Sequence, residues 1–119
     1  MQTQPVAVEP FVASWAAAWE QKNVETYLSH YSVDFRTPGG ISMAAWKKQR
    51  HKRLGKPQFI NIEIRDLQKL QVNDSRFQVS FIQAYQADTY SDQVLKTLEL
   101  AWENGAWAIV EETSRPLKR

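Results

Sequence analysis

Residues 77–112 read FQVSFIQAYQADTYSDQVLKTLELAWENGAWAIVEE, and the period of this stretch decides the fold class. Phe77, Val79, Phe81, Gln83 and Tyr85 alternate with Gln78, Ser80, Ile82 and Ala84, the pattern of a strand with one buried face. Asp88 to Asp92 interrupts the run with turn formers. Gln93 to Glu103 resumes it, with Lys96, Leu98, Leu100 and Trp102 on one side. Asn104-Gly105 is the residue pair that a tight hairpin needs, because both positions take positive φ. The last strand, Ala106 to Glu112, turns Trp107 and Ile109 inward. One step upstream, Phe59 to Leu70 sets Ile60, Ile62 and Ile64 against Asn61, Glu63 and Arg65, and Asn73-Asp74 closes that strand. Four successive strands joined by short turns predict an antiparallel sheet.

Before Pro57 the period is 3.6. From Val8 to Gln21, Phe11, Val12, Trp15 and Trp19 share one helical face. Asn23 can cap a second helix with Val24, Tyr27, Leu28 and Tyr31 on its apolar side and Phe35 just beyond. Pro38-Gly39-Gly40 ends that region, and Ser42 can cap a third helix running to about Leu54. Helices first and strands afterwards define an α+β chain, with three N-terminal helices packed on a curved antiparallel four-stranded sheet. Residues 1–9 read as a linker or trimmed boundary, 10–113 as the domain and 114–119 as a frayed tail.

Composition narrows the function classes. The chain of 119 residues is long enough for one core. It contains no cysteine, which excludes disulfides, thiolate metal sites and a cysteine nucleophile. Fifteen basic against thirteen acidic residues leave a net charge of only +2, too little to imply nucleic acid by itself. No apolar run approaches the ~18 residues of a spanning helix. Neither a cofactor nor a metal is expected. Aromatic residues make up 12% of the chain, with five tryptophans, and that load either fills a core or lines a pocket.

The order Trp15-x3-Trp19, Val24-x2-Tyr27-Leu28-x2-Tyr31-x3-Phe35, Trp46-x3-Arg50-x2-Arg53-Leu54, Phe81-x-Gln83-x-Tyr85, Lys96-x-Leu98-x-Leu100 and Gly105-x-Trp107-x-Ile109-x2-Glu112 resembles nuclear transport factor 2-like (cystatin-like cone) domains. Within them it is most similar to the accessory domain appended to bacterial cell-wall enzymes of the L,D-transpeptidase and carboxypeptidase type. The resemblance runs from about Pro10 to Glu112. It implies an accessory module of a larger protein, on the periplasmic side. The cysteine nucleophile of such enzymes is absent from this chain.

Arg50 is the most informative position. It falls on the apolar stripe of the third helix with Met43, Trp46 and Leu54, where a guanidinium is costly unless an anion meets it. An internal ion pair to Glu112, or a side chain snorkelling past the rim, is the plainer reading. A pocket arginine gripping a ligand carboxylate or phosphate with a bidentate fork is the functional one. Gln83 and Tyr85 share an inward face with Phe81. Lys96, on one face with Leu98 and Leu100, suits either a pocket mouth or a strand end becoming wet. The facing of Glu112 is open, because a single bulge would exchange it with Glu111. Trp46, Tyr27 and Tyr85 are the rings expected around Arg50 and Gln83, whereas Trp19 is assigned to the core. The resulting picture is a well-filled cone with a small, anion-tolerant mouth.

Two function classes follow. The first is a non-catalytic module binding a small anionic or carboxylate-bearing ligand or cell-wall fragment through Arg50, Gln83, Tyr85, Lys96, Trp46, Tyr27 and Glu112. The second is a small isomerase, dehydratase or cyclase, which needs a carboxylate or imidazole deep in the cone. Asp34 and His30 are its candidates, although neither sits on an inward face by pattern and a surface histidine is the plainer reading of His30. A homodimer through the outer sheet face is permitted by Gln78, Ser80, Ile82, Ala84 and Gln86. The basic run from Lys47 to Lys56 reads as a solvated helix face. Nucleic acid is not expected as a partner, since the aromatics sit on buried periodicities.

Overall fold

A computed structural model of the chain describes residues 7–117. Helix α1 spans Val8–Glu20, α2 Val24–Leu28 and α3 Met43–Gly55. Strands β1 (Ile60–Asn73), β2 (Arg76–Ala87), β3 (Ser91–Glu103) and β4 (Ala106–Pro116) form one antiparallel sheet in the order β1-β2-β3-β4. The α+β class and the sequence of elements match the sequence reading. Residues 1–6 of the expected linker, and Lys118 and Arg119 of the expected tail, lie outside the described residues.

The helices begin where their caps put them. The Asn23 side chain accepts from Thr26 N, and Ser42 Oγ accepts from Ala45 N at 3.1 Å. Helix α1 lays Val12, Trp15, Ala16 and Trp19 over the inner face of the sheet, where Trp15 meets Phe81 edge-on at 6.1 Å. Val79, Phe81, Leu98, Leu100 and Ile109 are wholly buried beneath the helices. Asn104 and Gly105 take φ of 53° and 81°, the two positive values that the Asn-Gly pair predicts for the hairpin turn.

The register shifts at three places, one of them beside the β1–β2 turn between Gln71 and Asn73, and the other two bear on the core and the site. In β1, Asp66 at φ 56° interrupts the pairing between Arg65 and Gln68, so Leu67 rather than Asp66 packs against the core. In β4, register shifts between the Glu99–Glu111 and Leu100–Ile109 pairs. This second bulge resolves the facing of Glu112: its side chain is 7% exposed and points into the cone.

Three expectations need correction. The second helix stops at Leu28, because the chain from His30 onward pairs with the free edge of β4: Ser32 N donates to Ile109 O, Ile109 N to His30 O, and Arg36 N to Val110 O. Satisfying that edge outweighs another turn of helix. Tyr31 therefore faces inward from a strand-like bridge. The last strand does not end at Glu112 and Pro116 is not frayed, since β4 continues to Pro116 opposite Val94. His30 is no surface residue either; it is buried between α1 and α2, 8% exposed.

Candidate functional site

The open end of the cone holds a cavity of about 610 Å³. Helix α3 contributes Arg50 and Arg53, β2 contributes Gln83 and Tyr85, β3 contributes Asp92, Val94 and Lys96, and β4 contributes Glu112 and Ser114. Trp19, Phe35, Pro38 and Tyr90 complete its wall. The expected small mouth is thus a sizeable pocket, within the range of about 300–1,000 Å³ that small-molecule sites occupy.

The cavity floor is a directed hydrogen-bond chain. Lys96 Nζ donates to Glu112 Oε2 at 2.5 Å, and Tyr31 OH donates to Glu112 Oε1 at 2.6 Å. Tyr31 has one proton and gives it to the carboxylate, so the Tyr27 hydroxyl, 3.0 Å away, must be the donor to Tyr31. Trp15 Nε1 donates to the same oxygen at 3.1 Å. Burial alone would raise the Glu112 pKa, but the Lys96 and Arg50 charges and the two hydrogen bonds outweigh it and hold the group below its ordinary value. Burial, reinforced by the Glu112 charge, pushes Tyr27 up to about 12 and Tyr31 well above its ordinary value. Lys96 is not wet at a strand end: it is 6% exposed and serves as the counter-ion of Glu112.

Arg50 is left over. The expected Arg50–Glu112 ion pair does not form, because Lys96 and Tyr31 already occupy both carboxylate oxygens. Among the described residues the guanidinium has no hydrogen-bond or ion-pair partner, and its Nε is buried without one. Its one close support is the Trp46 ring, 5.2 Å from the guanidinium carbon. Burial works against its charge, yet the fields of Tyr27, Glu112 and Tyr31 more than offset this and raise its pKa. Lys96 and Glu112 pair with each other, which leaves Arg50 in the wall without an ion-pair partner among the described residues; with Arg53 and Asp92 included, the cavity lining sums to +1.

The sequence-derived residues divide. Arg50, Gln83, Tyr85, Lys96 and Glu112 come together around the cavity. Trp46 and Tyr27 stand behind it as buried supports, both at most 1% exposed. His30 and Asp34 are not in its wall. The His30 Nδ1 donates to Thr26 O at 2.8 Å, so Nε2 accepts from Ser14 Oγ at 2.9 Å. Asp34 is exposed beyond the β4 edge segment. Trp19, assigned to the core, is buried there and with another edge also reaches the cavity wall. Asp92 was missed, although hairpin register could have found it: it lies opposite Tyr85. Arg53 follows Arg50 by three residues, one helical turn along the same side.

Residues 7–113 match the family model described as the Cds6 C-terminal NTF2-like domain. Among curated proteins none matches this chain by sequence. Among solved structures, Bd1075 from Bdellovibrio bacteriovorus superposes with a TM-score of 0.85 at 24% identity, over 94% of this chain and 40% of that one. A point variant of the helical cell shape determining protein Pgp2 from Campylobacter jejuni superposes with a TM-score of 0.77 at 18% identity, over 86% of this chain and 37% of that one. A candidate dehydratase of the NTF2-like family from Streptomyces avermitilis gives 0.80 at 13% identity and matches end to end, 94% of each chain. At these identities the likeness establishes the fold, which serves enzymes and non-catalytic domains alike.

Proposed function

The chain belongs to the family of Cds6 C-terminal NTF2-like domains, and from that premise we propose that it is a non-catalytic binding module for a small carboxylate-bearing ligand. One observation carries this reading: among the described residues Arg50, in the cavity wall, has no ion-pair or hydrogen-bonding partner. A desolvated guanidinium without an anion is unfavourable, and a ligand carboxylate supplies what is missing through a two-point contact. Gln83, Tyr85 and Lys96 flank that position, with Trp46 and Tyr27 holding the arginine and the floor in place.

The setting we propose is that of an accessory module in a bacterial cell-wall-associated protein. The chain spans 40% and 37% of the length of Bd1075 and Pgp2, and the latter is a cell shape determining protein. A cell-wall fragment bearing a free carboxylate would then be the ligand.

The dehydratase-like reading has one observation in its favour, the Glu112 carboxylate inside the cone. As a general base it is poorly poised: both oxygens are engaged and its pKa is lowered. Binding is the better use of the site.

The test is titration of small carboxylates into the wild type and into Arg50→Met, followed by two-dimensional NMR. The reading requires saturable shifts centred on Arg50, Gln83 and Lys96 in the wild type and their loss in the variant. Saturable shifts that persist in Arg50→Met would refute it. Turnover of a hydroxylated ligand that ceases in Glu112→Gln would establish the enzyme instead.

A further inference from the structure

Along the cavity wall with Arg50 runs a row of aromatic rings out to the rim. Trp19 packs on Tyr85 with centroids 5.6 Å apart, and Tyr85 on Tyr90 at 6.1 Å. Exposure increases along the row: Trp19 is 7% exposed, Tyr85 is half-buried, and Tyr90, just before β3, is 60% exposed. Core packing accounts for Trp19 but not for Tyr90, which stands in solvent at the rim.

Hydrogen-bond acceptors accompany the rings. Gln83 is 4% exposed, and its Oε1 is buried with no partner. Asp92, opposite Tyr85 in the hairpin, accepts from the Tyr90 hydroxyl at 2.9 Å through Oδ2, and among the described residues Oδ1 has no such bond. An aromatic or aliphatic acid filling the cavity would dry Asp92 and offer neither acceptor a donor, which is costly. A pyranose offers both missing complements. Its axial C–H groups suit the negative face of a tyrosine ring, and its hydroxyls donate to an amide oxygen or a carboxylate.

Building on the carboxylate-site reading, we propose that the cavity takes a saccharide acid. Its carboxylate lies against Arg50, one pyranose face lies on Tyr85 with Tyr90, tilted 51° to that ring, closing its edge, and its hydroxyls reach Gln83 and Asp92. The charges orient it: the acid end goes inward to the uncompensated cation, and the hydroxylated end outward to the rim carboxylate of Asp92. Gln83 lines the cavity, and rotation about the terminal torsion of its amide would turn the unpartnered oxygen toward a ligand there.

Four probes separate the contributions by NMR titration of the full chain. Glucuronate carries acid and hydroxylated ring, acetate only the acid, methyl glucoside only the ring, and benzoate an acid with a flat ring and no hydroxyls. Glucuronate should bind about five- to tenfold more tightly than acetate, and methyl glucoside more weakly than either. Tyr85→Ala and Tyr90→Ala should each bring glucuronate towards the acetate level; Tyr90 is exposed, so that variant folds even if the other does not. Benzoate binding as tightly as glucuronate, or glucuronate no better than acetate, would overturn the saccharide and leave the carboxylate site standing. Failure of acetate, benzoate and glucuronate alike would remove the site itself.

Discussion

Lys96 and Glu112 meet diagonally across β3 and β4: Lys96 is level with Ser114 and Glu112 with Leu98, yet Nζ and Oε2 come within 2.5 Å. Both side chains are at least nine-tenths buried, so the pair cannot be replaced by water when one member is lost. Glu112→Gln would leave the buried Lys96 without its counter-ion, with the Arg50 charge beside the same site, and should cost about 3–5 kcal/mol in urea unfolding. The double variant Lys96→Met/Glu112→Gln removes the stranded lysine and should recover most of that loss. A double variant no more stable than Glu112→Gln would show that the lysine is not the cause.

Arg50→Met should leave stability within about 1 kcal/mol of wild type. The thioether chain keeps the packing against Trp46, and the desolvated charge that disappears has no partner to strand. The same variant should lose carboxylate binding. Thermal unfolding with and without a millimolar carboxylate reads both: a rise in Tm on adding ligand in wild type, and none in Arg50→Met. Unfolding of Arg50→Met without ligand would instead make the arginine structural.

Most of the sheet is legible in the sequence because each strand buries one face, and alternation records that directly. Phe77 to Tyr85 and Asn104-Gly105 needed no tertiary information. The stretch from His30 to Phe35 was not legible: its helical spacing is genuine, but an open strand edge competes for its backbone, and that edge exists only once β4 is folded. The same limit applies at the site. The wheel placed Arg50 inward, whereas which cation would take Glu112 depends on a bulge at Val110, which shows no signature in residue type. Trp19 illustrates the remaining ambiguity, since a ring on a buried stripe packs the core along one edge and can line a cavity along another.

Gly105 sits at φ 81° with open space where a Cβ would be, so the cost of a side chain there is backbone strain alone. Gly105→Ala should destabilise by about 1 kcal/mol. Hydrogen exchange should localise the loss to the β3–β4 hairpin, with protection falling at Trp102 and Trp107 before it falls at Phe81. A uniform fall would show that the turn is not what holds that hairpin.

Acid stability should report on Glu112. Its folded pKa lies below the ordinary 4.5, so an unfolded chain takes up the proton first as the pH falls. The stabilisation is therefore complete above about 4.5 and is lost progressively below it, until the folded carboxyl protonates as well. Urea midpoints measured from pH 6 down to pH 3 should decline more steeply in wild type than in the double variant Lys96→Met/Glu112→Gln. Parallel curves would place the acid sensitivity elsewhere, with the Lys69–Glu9 pair, also held low, as the next group to test.

At the alkaline end the sign reverses and the tyrosines take over. Tyr27 is raised to about 12, so between pH 10 and 12 the unfolded chain releases a proton that the folded one retains. Stability should be full below pH 10 and fall across that window, with tyrosinate absorbance from Tyr27 appearing only as the protein unfolds. Tyr27→Phe removes this contribution and also one donor to Tyr31, costing about 1 kcal/mol at neutral pH. Tyr31 then still accepts from Trp15 and still donates to Glu112, so the floor of the cavity persists. The variant should accordingly lose part of its alkaline slope yet bind carboxylates as wild type does. Loss of binding in Tyr27→Phe would mean that the hydroxyl is needed to fix Glu112, and through it the field that keeps Arg50 free for a ligand.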